Sequence, residues 1–154
     1  MEFKELIGAF GEKAMGAEIK PDEEGCVRLT IDGMLVTMRE FPEVSKLLTY
    51  GEVGDVPPEG TGLLAETLLR ANFMFKATAG ATLSQNEQTK KYCLCRYDDL
   101  KLLDQETFEK MMETFANTLD QWRAIVADYR PDESPKAMEE SAPRGLEAFM
   151  FLRA

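Results

Sequence analysis

A chain of 154 residues, 44% apolar and 30% charged, has the balance of one soluble globular domain rather than a disordered or fibrous segment. Its 18 Lys and Arg stand against 28 Asp and Glu, a net charge of −10 that repels phosphate backbones and anionic bilayers, so nucleic acid is a poor partner and anionic membrane surfaces are disfavoured. There is no histidine, which also excludes every triad, general base or metal site that needs an imidazole.

The opening Met1-Glu2-Phe3-Lys4-Glu5 carries acids where a secretory signal carries bases and then an apolar block. No apolar run approaches the ~18 residues of a membrane span. Three cysteines, Cys26, Cys93 and Cys95, are an odd and sparse set that makes no disulfide framework, and a reducing cytoplasm is the expected location.

Phe3, Leu6, Ile7 and Phe10 recur at helical spacing and predict a helix over residues 3–16, weakened by Gly8, Gly11 and Gly16. A turn is expected at 21–25. Val27, Leu29 and Ile31 then alternate with polar residues, as do Met34, Val36 and Met38, around an Asp32-Gly33 pair that suits a type I′ hairpin. Beyond Pro42 a third strand is expected over 44–51, ending at Gly51 and Gly54, followed by a proline-containing loop over 55–62. A second helix is predicted over 63–74, with Thr61 as its cap. It is apolar on more than one side, through Leu63, Leu64, Leu68, Leu69, Phe73 and Met74, and so needs cover beyond one sheet. Strands near 77–84 and 91–97 flank a polar stretch at 85–90. The clearest element is a helix over 105–129, striped by Phe108, Met111, Met112, Phe115, Leu119, Trp122, Val126 and Tyr129, with Asp104 as N-cap. Residues 131–145 contain three prolines among acids and serines and read as a linker, and 146–154 end in an apolar patch. The expected organisation is a domain over 1–130 and a tail over 131–154.

Few residues suggest chemistry. Cys93-Leu94-Cys95 puts two thiols on one strand face, yet lacks the further ligands zinc needs and is no Cys-x-x-Cys redox pair, so buried structural cysteines are expected. Asp98-Asp99 and Asp22-Glu23-Glu24 fall at predicted turns, where acids hydrogen-bond locally. No phosphate-binding glycine loop occurs. The acids between Asp104 and Asp128 read as the solvated face of the last helix. Nine methionines, including Met34, Met38, Met111 and Met112, suit either core filling or a surface that accepts varied partners. No cofactor is expected.

The order α-β-β-β-α-β-β-α predicts an α+β fold, an antiparallel sheet with helices packed on one side. Within that order, five stretches lie between Phe3 and about Tyr129. They are the Phe3-Lys4-Glu5-Leu6-Ile7 helix, the Val27–Met38 hairpin with Ile31-Asp32-Gly33, the Leu68-Leu69-Arg70-Ala71-Asn72-Phe73 helix end, the Thr78-Ala79-Gly80-Ala81-Thr82-Leu83 segment, and Leu100–Leu103 before a Trp-bearing final helix. In combination they resemble the class I type III secretion chaperones, the Tir-chaperone (CesT-like) family. The resemblance implies a small acidic homodimer without ATPase activity. Such a protein holds the N-terminal region of a secreted effector in extended, secretion-competent form inside the bacterial cytoplasm. It also implies client contact through Phe3, Leu6, Phe10, Leu29, Ile31, Val36 and Met38, and dimer contact through Leu68, Leu69, Phe73 and Phe75. The tail departs from the family pattern, and Ala148–Leu152 is a candidate to occupy the client's groove. Two other classes stand beside this reading. One is a non-enzymatic interaction or regulatory module of the same fold without a secreted client. The other is a small-molecule enzyme, for which the sequence offers no converging set of polar groups.

Overall fold

The computed structural model describes residues 1–58 and 61–130; the expectations for 131–154, and the side chain of Thr61, lie outside the described residues. The elements are α1 (Phe3–Met15), β1 (Cys26–Ile31), β2 (Met34–Phe41), β3 (Lys46–Asp55), α2 (Thr61–Asn72), β4 (Thr82–Asn86), β5 (Lys91–Asp99) and α3 (Gln105–Ala127). Single 3₁₀ turns lie at Pro42–Val44, Phe73–Phe75 and Leu100–Leu102. The strands form one antiparallel sheet in the order β1-β2-β3-β5-β4, with β1 and β4 at its edges. The α+β class and the element order are those the sequence predicts. Backbone contacts group the chain into two compact units, one of Met1–Gly51 with Arg96–Ala116 and the other of Glu52–Cys95 with residues from Asn117 onward.

In the first unit, Asp32 and Gly33 both take positive φ (49° and 78°), as a type I′ turn requires, and set the register Ile31↔Met34, Leu29↔Val36 and Val27↔Met38. That register puts the alternating apolar residues of both strands on one face. Leu29, Met34, Val36, Met38 and Leu47 are buried there, and Phe3, Leu6 and Ile7 of α1 are buried in the same unit. Each contributes about 1.5–3 kcal/mol relative to exposure. Glu5 reaches back to accept from the Glu2 backbone N–H at 3.1 Å and starts α1. Phe10 meets Phe108 edge to face at 6.0 Å, tying α1 to α3. β3 is displaced from the expected 44–51 because Pro42 opens a 3₁₀ turn and Ser45 turns through positive φ (53°), so pairing starts at Lys46.

In the second unit, the expected strand over 77–84 begins only at Thr82. Ala79 and Gly80 both adopt left-handed φ (50° and 85°) and make a turn, which the Trp122 indole N–H ties down by donating to the Ala77 carbonyl at 2.9 Å. Gln85 and Asn86, expected in a polar connection, complete β4 opposite Tyr92 and Lys91, and the Asn86 carboxamide oxygen caps the turn by accepting from Gln88 and Thr89. Gly54 continues β3 rather than ending it: a Cβ there would lie 2.6 Å from Val126 Cγ1, so only glycine permits this approach. α2 stops at Asn72, leaving Phe73 and Met74 outside it, and α3 stops two residues before Tyr129.

Candidate protein-binding surfaces

Antiparallel pairing alternates hydrogen-bonded and non-bonded residue pairs. The pair Ile31↔Met34 flanks a two-residue turn and is bonded, so Leu29 and Val27 also bond β2, while Cys26, Arg28 and Thr30 aim their peptide groups away from the sheet. Asp22 takes the outward groups of Cys26: the Cys26 N–H donates to Asp22 Oδ1 at 2.8 Å, and the Cys26 carbonyl accepts from the Asp22 N–H at 2.8 Å. The outward peptide groups of Arg28 and Thr30 have no backbone partner among the described residues. They form a two-residue template for another strand. The β4 edge is different. There the Asn72 side chain occupies both outward groups of Leu83, at 2.8 and 2.9 Å.

Beside the open edge lies the second face of the sheet in the first unit. Thr37↔Tyr50 and Arg39↔Leu48 place Leu35, Arg39, Phe41, Leu48 and Tyr50 on this face. Leu35 and Tyr97 are each 58% exposed, and Phe41, Leu48 and Tyr50 are half-buried. Phe41 packs edge to face on Tyr97 at 6.3 Å, and the Arg39 guanidinium sits 5.3 Å above the Phe41 ring.

The expected client residues fall on the other face. Phe3, Leu6, Val36 and Met38 are fully buried and Leu29 nearly so; only Phe10 and Ile31 are partly exposed. The reason is the alternation itself: the regular apolar phase of each strand is the one the core claims. The outward set Leu35, Phe41, Leu48, Tyr50 and Tyr97 was missed, although its signal is present as apolar residues in the opposite phase of the same strands.

In the second unit, the expected dimer residues divide. Leu68 is core, whereas Leu69, Phe73 and Phe75 are 69%, 66% and 53% exposed, joined by Met74 at 62%. Met74 and Phe75 both hold left-handed φ (56° and 55°), a cost for non-glycine residues that turns three consecutive apolar side chains outward.

Burial, with lesser help from Cys95 and Glu52, pushes the Cys93 thiol up to about 11, so it stays protonated at neutral pH. Cys26 is also buried, and Cys95 lies 3.5 Å from the Ser84 hydroxyl. Asp99, expected at a turn where acids hydrogen-bond locally, caps the turn after β5 by accepting from the Lys101 N–H at 3.0 Å, and it also pairs with Lys46 at 3.1 Å. Asp98 holds Arg96 through both carboxylate oxygens. An open cleft of about 470 Å³ is lined by Met1, Glu2, Glu5, Glu40 and Lys101 among others. Burial, then Glu2, pushes the Glu40 carboxyl up. Among the described residues no three His, Cys, Asp or Glu side chains are grouped to hold a metal ion, and no helix is long and apolar enough to cross a membrane.

Solved structures with this fold include a chain of the ExsC–ExsE complex (22% identity, TM-score 0.69, spanning 80% of this chain and 96% of that one). Another is from the HopA1–SchA chaperone–effector complex (19%, 0.65, 79% and 93%). A third is from the ExoU–SpcU heterodimer of the type III secretion system of Pseudomonas aeruginosa (15%, 0.61, 80% and 96%). At these identities the likeness is one of fold. No curated protein sequence matches the chain. The sequence model of the Tir chaperone protein (CesT) family matches residues 5–123, and the chain belongs to that family.

Proposed function

We propose that this protein is a cytoplasmic chaperone that holds the N-terminal segment of a type III secreted effector in extended form, as a homodimer, without ATP and without catalysing a reaction. Membership of the CesT family supports the class, and structures of similar fold are complexes named as chaperone with effector. The observation that carries the reading is the open β1 edge beside an uncovered apolar sheet face. An extended client pairs its backbone with Arg28 and Thr30 beside Leu35, and the segment that continues from it crosses the face over Phe41 and Tyr97. Phe10 and Ile31 contribute their exposed parts, and the buried members of the expected client set act as the floor beneath. Ordering a disordered segment costs about 2–5 kcal/mol, and burying apolar surface at ~25 cal/mol/Å² over some hundreds of Å² offsets it, so a fuel-free clamp suffices. Leu69, Phe73, Met74 and Phe75 form the surface that grips a second copy, with Leu68 supporting them from the core.

The test is co-purification with effectors of the native bacterium, followed by binding of the isolated N-terminal segment to Thr30→Pro. Proline removes the outward N–H of an edge strand, a position where it is tolerated. The expected result is at least about tenfold weaker binding, the scale of one lost hydrogen bond plus displaced pairing, with little change in melting temperature. Wild-type affinity in Thr30→Pro, or no secreted partner held through its N-terminal segment, would overturn the proposal.

A further inference from the structure

On a chain of net charge −10, the open edge of β1 carries positive charge. Arg28 is one of the two residues with outward peptide groups, and its side chain is 63% exposed. Its ion contact among the described residues is a loose 3.9 Å approach to Asp22 Oδ2, while Asp22 Oδ1 is committed to the N–H groups of Glu24 and Cys26. Arg39 stands on the same face one strand inward, diagonal to Arg28 through the pairs Cys26↔Arg39 and Arg28↔Thr37. It is exposed, and it lies over the Phe41 ring.

We propose that Arg28, reinforced by Arg39, selects an acidic residue in the client strand. The inference rests on strand addition at β1. A residue directly opposite Arg28 in an added antiparallel strand shares its face, with Cβ atoms about 5 Å apart, and an Asp or Glu there meets the guanidinium. Its two chain neighbours turn to the other face opposite the apolar Val27 and Leu29, and the one opposite Leu29 lies diagonal to the partly exposed Ile31. The segment recognised therefore reads apolar–acidic–apolar. Recognition by charge also suits an acidic carrier, because it admits a carboxylate at one place and repels acidic chains elsewhere. A plain edge guard makes a different demand: charge placed only to deter self-pairing shows no preference for acids in a ligand.

The probe is a displayed library of random peptides about ten residues long, selected on the full chain and on Arg28→Glu, Arg28→Gln and Thr30→Pro variants whose folding is verified by thermal melts. Wild type is expected to enrich Asp or Glu at one position between apolar residues, and Arg28→Glu to enrich Lys or Arg there. A selected acidic peptide loses about two- to fivefold in affinity to Arg28→Gln, the range of an exposed cross-strand ion pair, and the loss shrinks at high salt. If wild type and Arg28→Glu enrich the same acids, or neither shows a charge preference while Thr30→Pro still blocks binding, this proposal falls and strand addition stands. If no peptide binds wild type, both fall. Self-association of Arg28→Gln with no change in peptide preference overturns it in favour of the edge guard.

Discussion

The side chain of Asn72 substitutes for a neighbouring strand at Leu83: Nδ2 donates to the Leu83 carbonyl at 2.9 Å, and Oδ1 accepts from the Leu83 N–H at 2.8 Å. One residue at the end of α2 thus caps the β4 edge at Leu83, while β1 is left open at Arg28 and Thr30. Replacing Asn72 with Leu leaves both buried peptide groups without partners, at about 1–3 kcal/mol. Asn72→Asp keeps the acceptor and loses the donor, so it falls between. Hydrogen exchange at the Leu83 amide reads the effect directly. Faster exchange is expected in Asn72→Leu, and unchanged protection there means the strand edge is covered by something else.

Adjacent leucines in α2 have separable roles. Leu68 is 4% exposed and Leu69 is 69% exposed. Leu68→Ala opens a cavity and costs about 2–5 kcal/mol of stability. Leu69→Glu and Phe73→Glu leave the melting temperature nearly unchanged and convert the proposed homodimer to monomer in sedimentation. A dimer that persists in both charge variants refutes the assignment of this surface.

Much of the fold was readable because period-two and helical patterns are strong in this chain. The eight elements appear in the expected order, and the eight apolar residues of the predicted 105–129 stripe are all buried, seven of them on α3 and Tyr129 just past its end. Three features were not readable, each for a physical reason. Leu68 and Leu69 are the same residue type, and only the rotation of about 100° between neighbours on a helix decides which meets the core. The start of β4 depends on left-handed Ala79 and Gly80, and alanine gives no warning of positive φ. The regular apolar phase of β1 and β2 marks the core as strongly as a binding surface, so reading it as client contact selected residues the monomer already covers. What distinguishes the exposed face is the less regular phase, in Leu35, Phe41 and Tyr97.

The three cysteines differ in accessibility, which predicts an order of labelling. Cys26 and Cys93 are buried, and Cys95 is partly exposed. With its pKa near 11, Cys93 is thiolate in only roughly one molecule in a thousand at pH 8, and the thiolate is the species that alkylates. Iodoacetamide at pH 8 is therefore expected to modify Cys95 first, followed by peptide mapping of the intact fold. Equal labelling of Cys93 in the native protein means that β5 opens far more readily than its burial implies.

Asp104 starts α3 and gives the acid limb of stability a specific origin. Its Oδ1 accepts from the Thr107 hydroxyl at 2.6 Å and from the Thr107 N–H at 2.8 Å, and the hydroxyl bond, followed by the backbone one, holds the Asp104 carboxyl below its ordinary value. The folded pKa is therefore lower than the unfolded one of about 3.9. The ionised cap contributes stability that is present above the unfolded value and is lost as pH falls through the folded one. Asp104→Asn keeps an acceptor oxygen but cannot titrate. As pH falls below about 4, the urea midpoint of wild type is expected to fall more steeply than that of Asp104→Asn, with the two converging at the acid end. Asp99, held low chiefly by its hydrogen bond from Lys46, and Glu109, held low chiefly by its bond from Lys13, titrate in both proteins and cancel in the difference. Parallel curves through that window would show that the cap works through its acceptor oxygen alone and that its charge adds nothing.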